Sequence, residues 1–168
     1  MKEDVILSIQ PIVNLLEKLI QEHEELLKLS KQKTDEIKEG QTDKLQATLI
    51  KERKVIQSIE RTEEKRMEEV NKWFTDQGLP LENATITEML NKLSNENEKK
   101  SLEKVTVNLT ELIVKIKQQE QLNEALLKQS MQFVQLSLDM LHPSIENMNY
   151  NQKQSQVTTE RSVFDSKA

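Results

Sequence analysis

Few residues of this chain could do covalent or metal chemistry, and their spacing argues against each chemistry in turn. His23-Glu24-Glu25 opens like the zinc-binding HExxH pattern, but Leu27 stands where the second histidine is needed. The other histidine, His142, is distant in sequence and beside Pro143, so no metal pair is expected. His23 reads instead as a buried or half-buried polar spacer on a helix seam. Ser101-Leu102-Glu103-Lys104 matches SxxK, a pattern that helices rich in Ser and Lys produce by chance. Gly40 and Gly78 are the two glycines, too few for a phosphate-cradling loop, and the chain has no cysteine. Disulfides, thiolate nucleophiles and Cys-ligated zinc are therefore absent together. The adjacent carboxylates Glu24/Glu25 and Glu63/Glu64 read as solvated helix faces. Neither an enzyme nor a cofactor is expected.

The remaining chemistry is that of binding. Placed at 100° per residue, Leu126, Leu127, Met131, Phe133, Val134, Leu136, Leu138, Met140 and Leu141 spread over roughly 220° of a helix. Lys128, Gln132, Gln135 and Asp139 hold only a narrow polar strip opposite. A surface helix of a small domain needs an apolar stripe of about 100° or somewhat more. The excess predicts a second apolar surface on the same helix, available to a partner. Met131, Val134, Leu138 and Leu141 are the candidate residues for that surface. Ser130 and Ser137 project into the same arc, where a close helix approach or a partner backbone could use an acceptor.

Composition sets the frame around this helix. The length of 168 residues suits one domain, and 32% charged residues with two Gly and three Pro describe long helices with few turns. Aromatics are 3% of residues, so the core is aliphatic and spread along helix seams. The net charge is −5, and basic and acidic groups are interspersed throughout. No Lys/Arg stripe stands apart, so nucleic acid is not an expected partner. The fairly apolar start, Val5 to Ile20, is interrupted by Gln10, Asn14, Glu17 and Lys18 and followed by no small-residue cleavage site. Neither a signal peptide nor a membrane-inserted segment is expected.

The elements that position the surface follow from periodicity. Val5, Ile9, Ile12, Leu16, Leu19, His23 and Leu26 alternate in steps of four and three, a heptad seam over a helix at about residues 4–39. Pro11 marks a start or a bend, and Gly40 the stop. Thr42 is placed to cap a second helix, about 42–76, which carries Leu45, Leu49, Ile50, Ile56, Ile59, Met67, Val70, Trp73 and Phe74. Trp73 and Phe74 should pack at one end of the bundle. Gly78 and Pro80 end that helix. Thr85-Ile86-Thr87-Glu88 reads as a capping box opening a short helix at about 85–94, and Ser94–Lys100 reads as a turn or a frayed end. A fourth helix, about 101–141, repeats the seam with Leu102, Val105, Leu109, Leu112 and Ile116. The predicted fold is all-α: an elongated antiparallel bundle of three long helices and one short one. Residues 142–168, rich in Asn, Gln and Ser, are expected to form a flexible C-terminal tail with scattered apolar anchors, among them Ile145, Met148, Tyr150, Val163 and Phe164.

These segments carry a resemblance. Leu26-Leu27-x-Leu29-Ser30, followed by Lys33, Ile37, Gly40 and Leu45, resembles the first hairpin of FlgN-type flagellar export chaperones. Asn123-x-x-Leu126-Leu127-x-x-Ser130-Met131-x-Phe133-Val134 and Leu138-x-Met140-Leu141 resemble the long C-terminal helix of that family. The ending Phe164-Asp165-Ser166-Lys167-Ala168 is similar to that of such chaperones from Bacillus-like bacteria. The resemblance implies a cytoplasmic chaperone of flagellar type III export. It would bind the disordered C-terminal segments of the hook–filament junction proteins FlgK and FlgL and deliver them to the export gate protein FlhA. Family members dock at the gate through a tyrosine after the last long helix, which points to Tyr150. Two other readings fit the residues alone: a self-associating coiled-coil scaffold, homodimeric when free of clients, and a regulator acting by protein contact.

Overall fold

The computed structural model describes the backbone of residues 8–165 and the side chains of residues 8–141. Its element order is α1 (Gln10–Lys38), α2 (Thr42–Asp76), one 3-10 turn (Leu81–Asn83), α3 (Ile86–Lys92) and α4 (Glu96–Asp165). No strand occurs among the described residues. The chain divides into two units, residues 1–124 and 125–168.

The helix boundaries have local causes. Pro11 sits in the first turn of α1, where its missing N–H costs nothing and its φ is already helical. The helix therefore begins at Gln10, with Pro11 in its first turn, and Val5 lies outside the described residues. Gly40, at φ +66°, closes α1: the Gln41 amide donates to the Glu36 carbonyl and the Gly40 amide to that of Ile37. Gly78, at φ +68°, closes α2 with the same pair of bonds, Leu79 to Phe74 and Gly78 to Thr75. Both are Schellman stops, which require the left-handed conformation that glycine adopts without strain. Thr42 is the first residue of α2, with Gln41 at the cap and no side-chain capping bond, so the expected Thr42 cap is corrected. Thr85 does cap α3, accepting from the Glu88 amide at 3.2 Å.

The fourth helix is longer than the periodicity predicts. It starts at Glu96 instead of residue 101 because Asn95 Oδ1 captures the amides of Asn97 and Glu98, at 2.9 and 3.2 Å. The backbone is helical through His142-Pro143 to Asp165, past the expected end at Leu141. The side chains beyond Leu141, including the anchors named above, lie outside the described ones.

In the first unit the helices form a bundle. Between α1 and α2, Lys33 meets Glu52, Glu36 meets Thr48, and Glu22 meets Ser58 and Thr62, so rising numbers on one helix match falling numbers on the other. That is an antiparallel pair. The apolar core gathers Ile9, Ile12, Val13, Leu16 and Leu19 with Val70, Trp73, Phe74, Met89, Leu102 and Val105. Trp73 and Phe74 meet edge to face with centroids 5.2 Å apart, within this cluster. Leu49, Ile50, Ile56 and Met67 of α2, in contrast, are exposed. Before Val70, the fully buried positions of that helix are Thr48, Glu52 and Thr62, all polar.

Candidate binding surface

The sequence places no Gly or Pro between Pro80 and Pro143, so nothing interrupts the helix that carries the candidate surface. On α4, Met131, Phe133 and Met140 are 72%, 69% and 74% exposed. Val134, Leu136, Leu138 and Leu141 are exposed as well. Over Met131–Leu141, about 15 Å of helix at 1.5 Å per residue, solvent thus meets seven large apolar side chains and one charged residue, Asp139. Isolated exposed apolar residues are ordinary, whereas a contiguous group of this kind is a candidate for contact with a partner. Met131, Val134, Leu138 and Leu141 all belong to it. The adjacent polar groups are satisfied locally: Gln135 Nε2 donates to Asp139 at 3.0 Å, and Ser137 Oγ to the Phe133 carbonyl at 2.9 Å. Tyr150 falls on helical backbone of α4, and its side chain lies outside the described ones.

A second feature went unseen in the sequence. Beyond Leu19 the seam of α1 continues in heptad steps through His23, Leu26, Ser30, Lys33 and Ile37, but its residue types change. Ser30, Lys33, Thr34 and Glu36 are buried there, with Thr48 and Glu52 of α2 and Asn123 of α4. Lys33 Nζ bonds Glu52 at 2.8 Å and Glu120 at 2.9 Å. Ser30 Oγ donates to Glu120 at 2.6 Å. Asn123 Nδ2 donates to the Ser30 carbonyl at 2.9 Å, and its Oδ1 accepts from Thr34. The detectable signal was the unbroken seven-residue spacing, counted without regard to residue type.

This polar layer has a defined charge state. Burial disfavours the Lys33 ammonium, but its hydrogen bonds to Glu120 and Glu52 and their negative charge outweigh that and hold its pKa above 10.5. Burial likewise works against the Glu120 carboxylate, and the bonds from Lys33 and Ser30 prevail, holding its pKa below 4.5. Both groups are ionised at neutral pH.

The bundle also contains a cleft of about 560 Å³, lined by Leu16 and Leu19 of α1, Ile59 and Met67 of α2, and Leu109 and Ile113 of α4. His23 lines it too, half-buried as a seam spacer, with Nδ1 donating to the Leu19 carbonyl at 2.6 Å. The side chains of Arg66 and Glu63 pair beside it. Among the described residues, no cluster of His, Asp or Glu is arranged to hold a metal ion. Nor is any described helix long and apolar enough to cross a membrane.

Comparison with known proteins agrees with the earlier resemblance. The family model described as FlgN protein matches residues 1–158. The protein YvyG of Bacillus subtilis (strain 168), itself described as uncharacterized, is 33% identical over 165 residues. That match covers 96% of this chain and all of the relative. No solved structure matches.

Proposed function

This chain belongs to the FlgN protein family, and we propose that it works as a cytoplasmic chaperone of flagellar export. It would bind the C-terminal segments of FlgK and FlgL and deliver them to the gate protein FlhA. The observation that carries this reading is the exposed apolar stretch of α4 between Met131 and Leu141. A client helix laying its apolar face on Met131, Val134 and Leu138 would use the helix-in-groove mode, with Leu141 in the same stripe. Burying three or four such side chains contributes about 1.5–3 kcal/mol each, against the cost of ordering the client. The net affinity is then moderate, which suits a carrier that must release its load. The chemistry needs no cofactor. The segment after Leu141, with Tyr150, is assigned to gate docking on the family resemblance.

Calorimetry on the full chain with FlgK and FlgL, whole and cut before their C-terminal segments, tests the proposal. The expected result is saturable one-to-one binding that is lost with the cut clients. It should also weaken at least tenfold for Met131→Ser combined with Leu138→Ser. Unchanged affinity in that folded variant would remove the stripe from the site. No client binding, together with a stable dimer at low micromolar concentration, would replace the chaperone reading with the self-associating scaffold.

A further inference from the structure

Two kinds of contact hold α4 in the bundle, and they are segregated along its length. Near its start Leu102 and Val105 are buried in the apolar core. Beyond Val105 no apolar residue of α4 in the first unit is fully buried; Leu109, Leu112 and Ile116 are half-buried. The one fully buried residue there is Asn123, 2% exposed. From Gln119 to Asn123 the bonds to α1 are polar, made to Ser30, Lys33 and Thr34.

We propose that this polar layer is a release catch: the stretch of α4 from about Leu112 to Glu124 leaves the α1–α2 hairpin and returns, while the hairpin and the apolar core stay folded. The arrangement of Lys33 supports this. Breaking a buried ion pair is costly when it leaves one charge unpaired out of water. Lys33, however, is shared between Glu52 on α2 and Glu120 on α4. When Glu120 departs, the 2.8 Å pair with Glu52 remains inside the hairpin, so no buried charge is orphaned. The other bonds that part are made by the side chains of Ser30, Thr34, Gln119 and Asn123, whose neutral groups water satisfies on both sides. No fully buried apolar residue of α4 leaves with them; the apolar side chains of that stretch, Leu112 and Ile116 among them, are half-buried or exposed. The hairpin is secured independently, by its Gly40 turn and by the Glu36–Thr48 and Glu22–Thr62 bonds. Opening with few buried apolar contacts is the mark of a region of low local stability.

The absence of native cysteine makes thiol labelling a direct test on the full chain. Single substitutions Ser30→Cys in the layer, Thr48→Cys inside the hairpin and Val105→Cys in the apolar core each report access to a buried position. Without denaturant, Ser30→Cys should label at least tenfold faster than the other two. Adding Asn123→Leu and Thr34→Val, which replace the separable polar contacts by apolar ones, should slow it at least tenfold. Equal labelling rates at all three positions would overturn the catch, because only global unfolding would then be exposing them. Spin labels at exposed Lys31 and Gln121 leave the layer intact and give a second reading. Two distance populations are expected, and a single short distance refutes the proposal.

Discussion

Glu36 is 4% exposed, and its two oxygens are treated unequally: Oε1 accepts from Thr48 and Gln32, whereas Oε2 has no hydrogen-bond partner among the described residues. Thr48→Val would remove one of its two donors and should destabilise the chain by about 1–3 kcal/mol in urea unfolding. Replacing both partners, with Glu36→Leu added, should cost less than the sum of the single changes, since no buried acceptor is then left wanting. Glu120 gives a pH dependence. Its folded pKa lies below 4.5, so its contribution is present above pH 4.5 and is lost as pH falls through the folded value. Acid titration should therefore weaken the layer below pH 4.5, and Glu120→Gln should remove that part of the profile. Lys33 acts at the opposite extreme: its raised pKa keeps its contribution intact below pH 10.5 and loses it above. None of this was legible from residue types, because Lys33, Glu52 and Thr48 are ordinary surface residues. Their burial arises from facing positions on three helices, which only the packed bundle brings together.

The helices themselves were far more legible, because their ends depend on a few neighbouring residues. The bounds of α2 match the expected 42–76, and the Gly40, Gly78 and Thr85 signals mark the ends they indicate. Asn95 was missed because Ser94–Lys100 is polar and aperiodic, yet capping needs only one side-chain oxygen in the right place. The apolar residues of α2 do not by themselves mark its inward face: Leu49, Ile50 and Ile56 lie beside the heptad positions held by Thr48, Val55 and Thr62. The two glycines allow a sharp test of the stops. An added Cβ at Gly40 or Gly78 would meet nothing within 4 Å, so a substitution would act through φ alone. Gly40→Ala and Gly78→Ala should each cost about 1–2 kcal/mol, the strain of a non-glycine residue in the left-handed region. Asn, which tolerates that region better, should cost less than Ala at both sites. Equal costs for Ala and Asn in thermal unfolding would point to a cause other than backbone strain.

At the scale of the whole molecule, charge and apolar surface are distributed differently, and the difference predicts how partners bind. The chain is 32% charged, but the stretch Met131–Leu141 holds a single charged residue, Asp139, among seven exposed apolar side chains. A partner seated there removes apolar area from water and gains little from ion pairing. Two consequences can be measured in one calorimetric series with client segments. The heat-capacity change of binding should be clearly negative, the sign given by apolar burial. Affinity should shift less than about threefold between 0.05 and 0.5 M salt, because screening acts on exposed charge pairs and hardly on apolar contact. A steep loss of affinity with salt would move the contact to the charged faces of α1 and α2. Met131→Ser with Leu138→Ser separates binding from folding within the same series. Both residues are exposed, so the variant should unfold within about 0.5 kcal/mol of the parent, as surface substitutions do. Its heat-capacity change should shrink together with its affinity, because the apolar area missing from the variant is the area that the client would otherwise cover.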